Sequence, residues 1–357
     1  MVANTDPKPA TRLESVQVLR GFAAMLVVLI HAVQRQDRIG NPAEWLSTFS
    51  YVGAIGVDLF FIISGFVMAL SMQRYEGGSG ALTFLRQRAY RIVPSFWIWS
   101  AVFGALIVWQ GWTIVPMQVL NTLTFIPIFD FGDYEAPVLG VGWTLAFEAV
   151  FYVVVSVVIM LRLPAWSLIP IIAALVLVPT LDTANWVGVR FFFNSILLEF
   201  ALGVLAYLLW SKGWLRRSLV FAGAIGGLAV IAMLLPGKDG NLYLTPPIYN
   251  NSLSALRALV WGVPCFFIFL AVLEMKIGGG SVTRLMKLVG DASYSIYLTH
   301  QIVFFAIGWT ALQGDLEAVL MIVAAAAFGI LAYRLVEAPL LYRARSLRAQ
   351  RHLGAQT

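Results

Sequence analysis

The sequence predicts an all-α bundle of about ten membrane-crossing helices, folded as a single domain over residues 1–357. Three observations predict it. First, 60% of the residues are hydrophobic and only 12% charged, and the mean hydropathy is +0.83, well outside the range of a water-soluble domain. Second, nearly uncharged apolar stretches of about 20 residues recur along the chain, the length needed to span a bilayer. Third, the basic residues are distributed unevenly between alternate loops, as the positive-inside rule requires. The net charge of +6 therefore reads as membrane topology and not as a nucleic-acid surface.

The predicted spans are 16–35, 52–72, 90–110, 141–161, 165–180, 190–210, 217–235, 254–274, 292–312 and 316–338. Residues 1–15 and 339–357 are read as short cytoplasmic tails. The first segment is polar and has no small-residue cleavage site after an apolar core, so span one is read as retained. With the N-terminus inside, the inner segments hold Lys8, Arg12, Arg74, Arg86, Arg88, Arg162, Lys212, Arg216, Arg217, Lys276, Arg284, Lys287, Arg343, Arg345, Arg348 and Arg351. The outer loops hold only Arg35, Arg38 and Lys238, and most of the loop acids, among them Asp37, Glu44, Asp133 and Asp239. Pro164, Pro179 and Pro236 fall at or near predicted helix ends.

Span one carries Arg20 and His31. Eleven helical steps bring both to one face, about 16 Å apart. A neutral imidazole there can accept a proton at physiological pH, or it can serve packing by hydrogen-bonding a neighbouring helix. Span two contains Asp58, suited to a basic partner or a sugar hydroxyl, and the Ser64–Gly65 pair, which permits close helix approach. The segment before span three, FLRQRAYRIVP, places Arg86, Arg88 and Arg91 where they can bind phosphate or simply anchor the inner surface. GGSG at 77–80 is read as a turn, since the Lys-Ser/Thr of a P-loop does not follow it. Residues 111–140 are apolar yet interrupted by Pro116, Pro127 and Pro137, which predicts a partly inserted flap over an outward-facing cavity.

Span four holds GWTLAFEAVFY, with Trp143, and with Glu148 and Tyr152 one turn apart on one face. Glu148 is placed at the depth of His31, where it would orient the imidazole, bind an acceptor hydroxyl or form a structural hydrogen bond. Span five is short. Span six contains Glu199, the deepest acid. Span eight contains Cys265, the single cysteine, read as a small core residue. Span nine contains His300, assigned a structural hydrogen bond with Tyr294 or Tyr297 one turn away. Span ten ends with Arg334 and Glu337, read as a local ion pair, and His352 lies in the tail. No zinc motif, GxSxG nucleophile or internal repeat appears.

Together these residues resemble the acyltransferase 3 family. Arg20-x10-His31 matches its first-helix signature; Phe84, Arg88, Arg91 and Pro94 match F-x3-R-x2-R-x2-P; Trp143, Leu145, Glu148, Phe151 and Tyr152 match W-[ST]-L-x2-E-x2-F-Y. GVDLFFIISGF, SYSIYLTH and the Glu199–Phe200 pair followed by Gly203 are also similar to family segments, and the opening VQVLRGFAAMLVVLIH is similar to the exopolysaccharide O-acetyltransferase branch. The resemblance implies acyl transfer, usually acetyl from acetyl-CoA as co-substrate, to a carbohydrate hydroxyl, in a bacterial inner membrane. It implies the stand-alone type, served by separate polysaccharide-biosynthesis proteins. It carries His31 and Glu148 as catalytic residues. Arg20, Arg86, Arg88 and Arg91 would bind acyl-CoA; Asp58, Trp143, Tyr152 and Glu199 would bind the acceptor. Direct attack by a hydroxyl activated at His31 and a covalent acyl-histidine both remain open. A polysaccharide-precursor transporter or flippase would also use buried charges of this kind.

Overall fold

A computed structural model describes residues 11–130, 133–184, 186–233, 245–275, 277–278, 280–308 and 312–343. Lys8, Lys238, Lys276, Arg345, Arg348, Arg351, Pro236, Asp239 and His352 lie outside them, as does most of each tail.

The chain opens with α1 (Thr11–Arg38), α2 (Glu44–Gly53), α3 (Ile55–Met72), α4 (Gly77–Trp109) and α5 (Pro116–Thr124). A small antiparallel hairpin of β1 (Ile128–Asp130) and β2 (Asp133–Glu135) follows. Then come α6 (Trp143–Met160), α7 (Leu168–Leu177), α8 (Val187–Phe192), α9 (Leu197–Ser211) and α10 (Arg217–Met233). The last part holds α11 (Thr245–Tyr249), α12 (Ser254–Arg257), α13 (Val263–Glu274), α14 (Ser281–Asp291), α15 (Ser293–Ile307) and α16 (Gly314–Ala332).

Seven helical segments among the described residues are long and apolar enough to cross a membrane: Glu14–Arg38, Ile55–Met72, Gly77–Trp109, Gly140–Met160, Val187–Ser211, Ser254–Glu274 and Gly314–Arg343. The other three predicted spans form shorter helices: α7 has 10 residues, α10 has 17 and α15 has 15. Hydropathy registers apolar content and does not see where a helix ends. α7 gives way to a 3₁₀ turn containing Pro179, and α15 stops at Gly308. At 1.5 Å per residue, 15 residues cover about 23 Å, less than a hydrocarbon core of ~30 Å. The outer surface of the bundle suits lipid. Val153, Val157, Met160, Ile225, Val319 and Val323 are exposed along the helices, and Trp45, Trp109, Trp166, Trp186 and Trp214 are exposed near helix ends.

α3 is the central element, buried along most of its length. Gly65 and Gly203 let α3 and α9 touch backbone to backbone. A Cβ at Gly65 would collide with the Phe200 carbonyl, and one at Gly203 with the Ile62 carbonyl. The packing role predicted for Gly65 is therefore observed. Gly203→Val is expected to separate the pair and destabilise the protein by about 1–3 kcal/mol, read as a lower thermal midpoint in detergent; an unchanged midpoint would contradict the tight seam.

Two loop regions differ from their sequence reading. GGSG is not a free turn, because Gly77–Gly80 form the first turn of the 33-residue helix α4. The Arg88–Arg91 segment is thus helical, and Pro94 lies inside the same helix. Residues 275–291, read as an inner loop, contain the amphipathic helix α14, tied to α1 by Lys287 Nζ to Glu14 (2.5 Å) and by Gln17 Nε2 donating to Asp291 (2.7 Å). The described residues of the predicted flap are tied together and to α4 by hydrogen bonds. Trp97 Nε1 donates to the Thr122 carbonyl (3.2 Å), Val138 N–H donates to Thr122 Oγ1 (2.9 Å), and the Asn121 amide donates to the Glu135 carbonyl.

Candidate active site

Two cavities lie in series through the bundle. The smaller, about 120 Å³, is lined by Arg20 of α1, Ser64 of α3, Arg88 and Arg91 of α4, and Glu148 and Tyr152 of α6. Helical spacing explains the convergence. Arg88 and Arg91 are three residues apart, Glu148 and Tyr152 four, so each pair shares a face. Ser64 Oγ donates to Glu148 Oε1 (2.9 Å), and the Tyr152 hydroxyl donates to the same oxygen. The carboxylate is thereby fixed with three guanidinium groups around one space. Arg88 Nε is buried without a hydrogen-bond partner among the described residues. An orphaned cationic donor on a cavity wall is the feature expected of an oxyanion site.

The larger cavity, about 510 Å³, is lined by His31, Arg35, Phe103, Trp143, Tyr249 and Gln301, among others. Here His31 meets His300: Nδ1 of His31 lies 2.9 Å from Nε2 of His300, with the two rings nearly parallel. The hydrogen-bond network assigns the tautomers. His300 Nδ1 lies 3.3 Å from the Ile296 carbonyl, which can only accept, so Nδ1 carries the proton and Nε2 is an acceptor. His31 Nδ1–H must then donate to His300. The lone pair of His31 is left on Nε2, the one nitrogen available to a group in the cavity.

The cavities share two wall residues, Val57 and Tyr297. The Tyr297 hydroxyl donates to the Val141 carbonyl (2.8 Å) and lies 2.9 Å from Thr144 Oγ1. Its ring packs 6.1 Å from that of His300. Tyr297 thus stands between the arginine cluster and the histidine pair while touching the group that orients His31.

The structure divides the predicted site residues. Arg20, Arg88, Arg91, Glu148 and Tyr152 share the smaller cavity, while His31 and Trp143 line the larger one. Glu148 therefore does not orient His31; His300 does, and Glu148 is bonded to Ser64 and Tyr152 instead. Glu148 lies five residues, about 7.5 Å, along α6 beyond Trp143 and one turn beyond Thr144, whose hydroxyl meets Tyr297 at the boundary between the cavities. Arg86 is exposed on the opposite side of α4 from Arg88 and lines neither cavity. Asp58 and Glu199 line neither as well. Asp58 is wholly buried in a bidentate pair with Arg257, Nε to Oδ1 at 3.0 Å and Nη2 to Oδ2 at 2.6 Å, and Arg257 Nη2 also donates to the Ala54 carbonyl. Glu199 is buried beside that pair, in contact with Gly262. Glu337 is not paired with Arg334: it turns inward to accept from Ser295 Oγ (2.6 Å), and Arg334 is exposed.

Sequence reasoning did not pair His300 with His31. Its signal was present, since an intramembrane histidine is rarely idle. The nearby tyrosine hydroxyls offered a simpler partner than a histidine 269 positions away.

The profile of the acyltransferase 3 family, described as an acyltransferase domain, matches residues 13–334. The chain belongs to the acyltransferase 3 family. Within the family it is related to the exopolysaccharide production protein ExoZ of Rhizobium meliloti (strain 1021), at 31% identity over 88% of this chain and 98% of that protein. Acyltransferase MdmB of Streptomyces mycarofaciens is 25% identical over 93% of this chain and 92% of its own length. The O-acetyltransferase OatA of Staphylococcus aureus (strain NCTC 8325 / PS 47) is 23% identical over 90% of this chain, which spans 56% of that longer protein. No solved structure matches. As an acyltransferase 3 protein, the chain is a polytopic membrane acyltransferase.

Proposed function

We propose that this protein transfers an acyl group, acetyl in the simplest case, from acyl-CoA to a hydroxyl of a cell-surface or exported glycan in a bacterial inner membrane. The observation that carries the reading is the serial arrangement of an arginine-lined cavity and a histidine-lined cavity sharing Tyr297. With both termini cytoplasmic, the arginine end faces the cytosol. The relation to an exopolysaccharide production protein makes an exopolysaccharide the first acceptor to test. Separate polysaccharide-biosynthesis proteins would supply and export it.

In this reading Arg88 and Arg91 hold the phosphates of acyl-CoA at the mouth of the smaller cavity, with Arg20 helping to neutralise them. The cavity of about 120 Å³ is narrow, which suits the thin pantetheine arm and excludes the nucleotide. Glu148, fixed by Ser64 and Tyr152, keeps the guanidinium groups apart and accepts from the arm. The thioester end reaches the Val57–Tyr297 boundary. On the far side the acceptor hydroxyl donates to His31 Nε2. As the proton moves to that nitrogen, the oxygen attacks the thioester carbonyl; the carbon–oxygen bond forms, the carbon–sulfur bond breaks, and the thiolate recovers the proton. His300 accepts from His31 Nδ1 throughout and keeps Nε2 on the reacting side.

Purified protein given labelled acetyl-CoA and an oligosaccharide is expected to yield a labelled, alkali-labile ester. Arg88→Gln should raise the KM for acetyl-CoA about tenfold or more, the scale of one lost charge-assisted hydrogen bond, with little change in kcat. Unchanged KM would reduce Arg88 to a topology signal.

A further inference from the structure

The larger cavity carries cations that the transfer chemistry does not use. Gln34, Arg35 and Arg38 lie three, four and seven residues beyond His31 on α1, so all four side chains form one stripe, and all four line the cavity. Arg35 Nε is buried with no hydrogen-bond partner among the described residues. Its guanidinium lies against Gly308 at the end of α15, where a Cβ would collide with Nη2. Among the described residues neither Arg35 nor Arg38 has a carboxylate within ion-pair distance. The third arginine of the wall, Arg257, is neutralised by Asp58. Among the described residues no aspartate or glutamate lines the cavity, so Arg35 and Arg38 give its described wall a formal charge of +2 beside a neutral histidine. Trp143 and Tyr249 add flat apolar faces, and Gln34 and Gln301 add amides suited to hydroxyl groups.

We propose that Arg35 and Arg38 bind an oxyanion on the acceptor, so that the substrate class is an acidic glycan bearing a carboxylate close to the hydroxyl that is acylated. The inference rests on the larger cavity being the acceptor site. Arg35 follows His31 by about 6 Å along the helix axis, which places the carboxylate on the acylated sugar or its neighbour. A guanidinium binds carboxylate in a planar, two-bond geometry, and Arg35 has Nε buried and unpartnered among the described residues, with its Nη2 held against Gly308. A lipid phosphate offers the same oxyanion chemistry, so the test separates the two sources.

The full-length protein in phosphatidylcholine nanodiscs is titrated with oligogalacturonate, oligoglucuronate and oligomannuronate, each against its neutral methyl ester. At least one acid is expected to bind about tenfold more tightly than its ester at low salt, with the preference shrinking as salt rises. Arg35→Gln with Arg38→Gln should abolish the preference, Arg35→Lys should retain part of it, and Gly308→Ala should weaken it by displacing the flexible guanidinium. Thermal midpoint and acetyl-CoA binding, read on the same variants, report folding. Equal binding of every acid and ester, absence of binding by all of them, or a preference surviving in the double glutamine variant overturns the proposal. A preference that vanishes when phosphatidylglycerol is added makes the headgroup the ligand and also overturns it. Lost acetyl transfer with the charge preference intact strikes the transfer reading alone; intact transfer with no preference strikes this inference alone.

Discussion

His31→Ala is expected to lower acetyl transfer by about 10²–10⁴-fold, the usual contribution of a positioned acid–base group. The loss should appear in kcat, while the KM for acetyl-CoA stays near that of the parent, because the donor cations sit in the other cavity. His300→Ala should give a smaller fall of the same kind. It leaves an imidazole in place but removes the acceptor that fixes its tautomer, so Nε2 carries the lone pair only part of the time. Single-turnover transfer from labelled acetyl-CoA measures both. Near-normal turnover by His31→Ala would remove the base from the mechanism, and a large KM effect would mean that the two cavities bind the donor together.

Arg257→Met is expected to cost about 3–5 kcal/mol of stability, the penalty for leaving one half of a buried ion pair. Asp58 would then be a wholly buried, unpaired carboxylate with Glu199 close by. Removing both partners, as Asp58→Leu with Arg257→Met, should recover most of that loss, since apolar replacements of a buried pair are often neutral. Thermal unfolding in detergent and the yield of folded protein are the readouts. If the double variant is as unstable as the single one, the pair has a role beyond mutual neutralisation. Tolerance of Arg257→Met would show that the bundle admits water at Asp58. The pair joins α3 to α12, and Arg257 also forms part of the His31 cavity wall, so this stability bears directly on the shape of the site.

The membrane class, the position of α1 and the pairing of Arg88 with Arg91 and of Glu148 with Tyr152 on single helix faces were legible in the sequence because each rests on local composition or periodicity. Residues three or four apart on a helix share a face whatever surrounds them. What was not legible depends on how helices meet. The sequence offered Glu148 as a partner for His31 and gave His300 to the nearby tyrosines, and only the packed bundle places His300 against His31 while setting Glu148 one cavity away. Asp58 looked like a ligand because its partner, Arg257, lies 199 residues further on. Arg35 and Arg38 looked like ordinary loop charges. Their helix continues through Arg38, beyond the end that hydropathy assigned, and carries them onto the cavity wall. Of the ten predicted spans, seven are helices of full crossing length among the described residues and three are shorter, because apolar composition does not report where a helix ends.

The most direct test is a structure of the protein in nanodiscs with a non-transferable acyl-CoA analogue. The account predicts phosphates against Arg88 and Arg91, the pantetheine arm beside Glu148, and the acyl carbonyl at the Val57–Tyr297 boundary facing His31 Nε2. An analogue whose acyl end lies in lipid, or a Tyr297 wall that keeps it sealed from the imidazole, would contradict it.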